Sequence, residues 1–277
     1  MSNATKTPFD RLLQLILGLL HMPPGRWRIA IAFGYGLICH VIFALAVGAM
    51  ILAMFFGMSQ SLGAVPRPWS YLVNAGLLLQ FPLTHSILLS PRGSRWLNRL
   101  APSGYGRTLS TTTYAIIASV QLLLLFALWT PSGVIWWRAE GAVFYVICGL
   151  YLASWLLLIK ASYDAGAEVQ SGALGWMSLA QDKAPVFPDM PTAGLFRIIR
   201  QPIYVSFALT LWTVPVWTPD QLALALTLTA YCLGAPRLKE ARFAKRYGAR
   251  FHAYQRRVPY AVPQIKGSKS HDQHAPE

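Results

Sequence analysis

Acid is scarce in this chain: ten Asp and Glu stand against 24 Lys and Arg in 277 residues. Charge of either sign is scarce as well, at 12%, roughly half of the 25% or so usual in soluble domains. That deficit excludes an ordinary soluble globular domain. Cysteine is rarer still. Cys39, Cys148 and Cys232 lie far apart in apolar runs with no CxxC pair, which excludes a disulfide framework or a zinc site and predicts buried small hydrophobes. There is no short-period repeat and no low-complexity segment, which excludes a repeat architecture. A cleavable leader is also missing from the expectation. The first apolar stretch, Leu12 to Leu20, follows Arg11, is too short to span and ends at "HMPPGRWR" without a small-residue cleavage site. Residues 1–28 are therefore expected to form an interfacial segment.

What is abundant is apolar surface, with 55% hydrophobic residues gathered into long runs. A span needs about 20 mainly apolar residues, which predicts helices near 30–54, 71–89, 113–129, 142–159, 203–217 and 222–236. "TPDQ" leaves almost no loop between the last two, so they are expected to form a tight helical hairpin. The formal charge of +14 does not point to nucleic acid, because the basic residues lie between and after the apolar runs. They follow the positive-inside pattern. The 90–112 segment holds four arginines and no acid, 160–202 holds Lys160, Lys183, Arg197 and Arg200, and the chain beyond 237 is strongly basic. Six spans place these segments and both termini in the cytoplasm. Trp27, Trp69, Trp96, Trp129, Trp136 and Trp137 fall at predicted span ends, as an interfacial aromatic belt would. The fold class expected is an all-α polytopic membrane protein, with about six transmembrane helices, a C-terminal helical hairpin and a cytoplasmic cap. Residues 29–263 form the membrane domain and 264–277 a disordered tail.

The chemistry concentrates in 194–263. Arg197 and Arg200 approach "RQPIY", where Pro202 opens an apolar helix at a position that needs no N–H. After the hairpin comes "PRLKEARFAKRYGARFHAYQRRVP", helical in character, with Glu240 its sole acid and Gly248 placed to end or bend its first half. The hairpin is expected to return Arg200 and Tyr204 beside Glu240. Two readings stay open at this level: a functional cluster at the membrane boundary, or headgroup-anchoring cations with Glu240 neutralising Arg237 or Lys245. His40 and His85 lie in apolar runs, where a buried pair could ligate haem and an isolated one is a packing residue. His252 is expected at the surface. Asp164 and Glu168, four residues apart, are expected on a solvated helix face, and no metal site is assigned.

The order "RxPIY", hairpin, Glu, "YG", "RRVP" resembles the isoprenylcysteine carboxyl methyltransferase superfamily of membrane enzymes, and "RRVPYAVPQIKG" resembles the end of its catalytic region. "LQFPLTHSILLSPRGSRWLNRLAP", followed by a helix and "LWTPSGVIWW", is similar to the methanethiol S-methyltransferase and NnrU-like branch. The resemblance covers most of 70–263. It implies methyl transfer from S-adenosylmethionine (SAM) to a thiol or another small or lipid-borne nucleophile at the membrane, in a bacterial inner membrane. It further implies a cofactor site of Arg200, Pro202, Tyr204, Glu240, Tyr247 and Tyr254, with Arg200 pairing the carboxylate of SAM. The tyrosines would offer faces to the sulfonium or adenine. Arg200 and Glu240 also count as catalytic, and His85 is placed near the acceptor. Three positions depart from the family pattern: Gln201 stands for the common His, "KE" for a pair of acids, and Ser206 for Gly. Glutamine donates and accepts hydrogen bonds but does not titrate. The resemblance also carries two rivals, an NnrU-like haem-dependent isomerase or accessory protein, and an inactive homologue that binds lipid or a partner.

Overall fold

The computed structural model describes residues 7–102 and 104–263; the tail expected at 264–277 and the first six residues of the interfacial segment lie outside them. Helix α1 (Pro8–Gly18) starts at a capping box, in which Thr7 accepts from the Asp10 amide and the Asp10 carboxylate accepts from Thr7. Three long helices follow the apolar runs: α2 (Arg26–Phe55), α5 (Gly106–Leu128) and α6 (Gly141–Gln170) are each long and apolar enough to cross a membrane. Between the first two, α3 (Trp69–Leu88) and α4 (Pro91–Leu100) meet at a bend of 96° and count together as a fourth candidate. Ser90 makes that corner by capping α4, its hydroxyl accepting from the Gly93 amide at 3.1 Å. Leu37, Val41 and Leu45 of α2, with Val146, Leu150 and Ile159 of α6, leave apolar side chains exposed on the outside of the bundle, where lipid tails cover them. The chain is an integral membrane protein built from α-helices.

The remaining expected crossings take another form. Residues 203–217 yield α8 (Pro202–Trp212), whose 11 residues reach about 16 Å, half the hydrocarbon thickness. The stretch 222–236 is the first half of α9 (Pro219–Tyr247), which runs on without a break past Pro236 into the basic region. Gln221 at the start of α9 donates to the Leu211 carbonyl near the end of α8 at 2.8 Å, and the Tyr204 ring near the start of α8 lies 5.9 Å from Lys239 farther along α9, so the two helices run antiparallel. Their connection pairs β2 (Val216–Trp217) with β1 (Trp137–Arg138) as a two-residue antiparallel ladder. Met54, Leu125, Phe126, Leu211, Leu224 and Leu228 form the main core, joining α2, α5, α8 and α9.

Several local expectations need correction. Trp129 is 3% exposed, and its indole donates to Asp220 at 3.1 Å; it belongs to the core and not to an interfacial belt. The loop expected across 160–202 contains the last turns of α6 and all of α7 (Ala173–Ala180), every residue of which is buried. Arg28 reaches the C-terminal end of α7, donating to the Leu179 and Ala180 carbonyls at 2.6 and 2.5 Å, a cation satisfying a helix C-terminus. Asp164 and Glu168 do not lie on a solvated face. The Glu168 carboxylate accepts from Arg11 of α1 at 3.0 Å at 1% exposure. Asp164 pairs with Lys160 and accepts from the Leu195 amide at 2.9 Å. These contacts fasten α1 and the 194–197 turn to α6. Gly194, with φ +59°, is needed there, because a Cβ would collide with the Asp164 carboxylate.

Candidate functional site

The 194–197 turn delivers Phe196, which is 1% exposed, and then Arg200 and Gln201 to the start of α8. Pro202 is buried at the first turn of that helix, where it shapes the entry and leaves no donor unpaired. Across from it, α9 carries Lys239 and Glu240. Gly248, with φ +51°, then turns the chain into α10 (Ala249–Arg257), a backbone conformation that suits glycine. Met190, Phe251 and Tyr254 form a small core under this cap.

Glu240 is the hub. Its Oε1 accepts from Arg200 Nε at 2.8 Å and from Gln201 Nε2 at 2.7 Å. Its Oε2 accepts from Arg200 Nη2 and Gln255 Nε2, each at 3.3 Å. Arg200 Nη1 donates to the Gln255 and Val258 carbonyls at 3.1 and 2.7 Å. The guanidinium therefore meets Glu240 as a fork, and its other arm grips the cap. The tail is bound by backbone as well: the Arg200 amide donates to Pro259 O at 2.9 Å and the Gln201 amide to Tyr260 O at 3.1 Å. The Arg200 guanidinium carbon lies 5.4 Å from the Tyr260 ring centre. "RRVPY" is thus a wall of the site.

A pocket opens beside this cluster, lined among others by Phe196, Gln201, Lys239, Phe243, Phe251 and Tyr254. The space it encloses is about 10 Å³, room for about one water and far below the roughly 300–1,000 Å³ typical of small-molecule clefts. Pro191 borders it from the 183–193 strap, which is pinned to α10 by Asp189 and Arg250 at 2.6 Å. The Tyr254 hydroxyl donates to Phe196 O at 2.7 Å, and burial pushes its phenol up to about 12.

Lys239 lies beyond the apolar half of α9. Its Nζ is 5.4 Å from the Phe196 ring centre, 5.9 Å from Tyr204 and 5.5 Å from Phe243. Its hydrogen bond, to Gln201 Oε1, is 3.5 Å long. Burial brings its pKa down from the ordinary 10.5 to about 8, with Arg242 adding to the effect and Glu240 opposing it.

Of the residues expected from sequence, Arg200, Tyr204, Glu240 and Tyr254 come together here. Tyr247 does not line the pocket; its ring meets Phe243 edge to face at 5.5 Å and lies under Arg246 and Arg250. His85 belongs to a separate cluster, where its Nε2 is 2.6 Å from the Tyr114 hydroxyl and its ring is flanked by Phe81 and Tyr231. His85 Nδ1 is buried without a protein partner among the described residues. Tyr204 lies within electrostatic reach of Tyr231 and Arg242 as well as near Lys239, so it stands between the two clusters. His40 accepts from the Trp176 indole at 3.1 Å in another part of the bundle. Sequence reasoning missed Lys239, Gln255 and the Phe196–Phe243 cage. The available signal was an apolar-flanked "LKEARF", with Lys239 and Phe243 one helical turn apart.

Comparison with known proteins adds relatives of two names. The chain is 29% identical to methanethiol S-methyltransferase 2 of Bradyrhizobium diazoefficiens over 194 residues, 70% of this chain and 73% of the relative. It is 28% identical to the methanethiol S-methyltransferase of Mycobacterium tuberculosis over 202 residues, 72% of this chain and 81% of the relative. It is 30% identical to nurim of Bos taurus over 177 residues, 60% of this chain and 64% of that protein. No family model and no solved structure matches the chain.

Proposed function

We infer that this relative of the methanethiol S-methyltransferases is itself an integral-membrane methyltransferase with a thiol acceptor. The observation that carries the reading is the coincidence of two independent facts. The methanethiol S-methyltransferases among the relatives share one activity in their names, and the segment expected to hold the methyl donor folds into a single hydrogen-bonded cluster around Glu240.

The donor is SAM, whose sulfonium supplies an electrophilic methyl group. The side chains suit its parts: a cation without an acidic partner for a carboxylate, the Glu240 carboxylate for hydroxyl or amino protons, and aromatic faces for a cation or a purine. The pocket as it stands is too small for the whole molecule, so binding requires its walls to part. Glu240 and Arg200 hold the tail closed over the site and exclude water. Tyr204 stands between the pocket and the His85 cluster. As the thiol sulfur took the methyl group, the methyl–sulfonium bond of the donor would break and S-adenosylhomocysteine would leave, and the His85 Nδ1, buried and unpartnered among the described residues, would receive the thiol proton. The Tyr114 hydroxyl at Nε2 orients the ring.

Six crossings with both termini cytoplasmic remain the topology that the charge distribution favours, α8 and the first half of α9 forming a shielded hairpin in a bacterial inner membrane. The pocket then opens to the cytoplasm, and the acceptor arrives from the bilayer side. A detergent-purified preparation given SAM and methanethiol should release dimethyl sulfide, measured in the headspace, and His85→Ala should stop release while leaving SAM binding by calorimetry intact. Folded protein that binds no SAM refutes the reading.

A further inference from the structure

The Arg200 guanidinium has five N–H donors. Four are committed: Nε and one Nη2 proton to Glu240, and both Nη1 protons to the Gln255 and Val258 carbonyls. Pulling it toward a ligand would unhook Glu240 and the tail together. Lys239 is placed differently. Among the described residues, no carboxylate lies within ion-pair distance of its ammonium, and its one hydrogen bond is the long contact to Gln201. It faces the pocket inside a cage of three aromatic rings.

Because Arg200 and Glu240 neutralise each other, the net charge of the pocket wall is that of Lys239. A half-buried ammonium held among rings with one weak partner is costly until an anion arrives. We propose that Lys239, and not Arg200, is the residue that receives the carboxylate of the methyl donor. The inference rests on the methyltransferase reading.

The position of Gln201 fits this role. Its amide donates to Glu240 at 2.7 Å and accepts from Lys239 at 3.5 Å, serving an acid and a cation at once. Imidazole in its place would present a second cation to Lys239 when protonated. Gln201 and Lys239, two departures from the family pattern, are thus neighbours that compensate each other.

Calorimetry on the full-length protein in detergent should compare SAM with decarboxylated SAM, which keeps the sulfonium, amine and nucleoside and lacks only the carboxylate. The wild type should bind SAM at least about tenfold more tightly, as a charge-assisted contact supplies. Lys239→Met should remove that preference by weakening SAM and leaving the decarboxylated analogue unchanged; Lys239→Arg should retain it. If Lys239→Met fails to fold, Lys239→Gln is read in the same way. Equal weakening of both ligands, or an undiminished preference for SAM, overturns the assignment while leaving the methyltransferase reading in place. A wild type that binds neither ligand overturns both.

Discussion

Replacing Glu240 by glutamine tests whether the hub holds the C-terminal wall in place. The Arg200 and Glu240 side chains are 11% and 12% exposed. Removing one partner of a buried ion pair costs about 3–5 kcal/mol. Glutamine keeps one acceptor oxygen, and the residual exposure weakens the pair, so the lower end, about 3 kcal/mol, is expected. That loss falls on a local structure, the two backbone bonds from Arg200 and Gln201 to Pro259 and Tyr260. Local opening is read directly by amide hydrogen exchange. At 1.4 kcal/mol per factor of ten, the amides of residues 200 and 201 should exchange about 100-fold faster in Glu240→Gln than in the wild type. The 29-residue α9 that carries position 240 should keep its protection over its apolar half. Lys245→Gln, an exposed neighbour on the same helix, should leave both segments unaltered. Acceleration of less than about threefold at residues 200 and 201 would mean that the tail is held by something other than the hub.

Two further outcomes follow from the same cluster. The Lys239 pKa is depressed in the folded protein, from 10.5 to about 8, so between these values the unfolded chain binds a proton that the folded chain has released; stability should rise with pH across about 8 to 10.5, and thermal unfolding of Lys239→Met should show that rise removed. Gln201→His should lower the melting temperature more at pH 5.5 than at pH 8, since the imidazolium formed in acid faces Lys239; equal melting temperatures of variant and wild type at pH 5.5 would show that the amide is not needed there.

The parts of this architecture legible in the sequence are those encoded locally. The apolar runs at 30–54, 113–129 and 142–159 became α2, α5 and α6 because a bilayer span satisfies its own backbone and needs only length and hydrophobicity. Gly248 was legible because a positive φ at a helix end asks for glycine. What stayed hidden depends on partners far along the chain. Glu168 looks solvated in "DAGAEVQ" until Arg11, 157 positions earlier, arrives beside it. Trp129 looks interfacial until Asp220 accepts a hydrogen bond from its indole N–H. In the candidate site, the residue types of Arg200, Glu240 and Tyr254 were readable, and their division of labour was not. Only the hydrogen bonds separate the arginine that builds the wall from the lysine left facing the pocket.

The backbone bonds from Arg200 and Gln201 to Pro259 and Tyr260 span nearly sixty residues, and they set an order of assembly. The ribosome makes α2 to α8 before it makes the segment that closes the site, so a nascent chain can be inserted in the membrane and still lack its last wall. The wall around Glu240 is therefore completed late in biogenesis, after every candidate span has been made. A chain cut after α9 would be a membrane protein with those spans present and no closed site, which makes ligand-induced protection of residues 200 and 201 a sensor of completed synthesis.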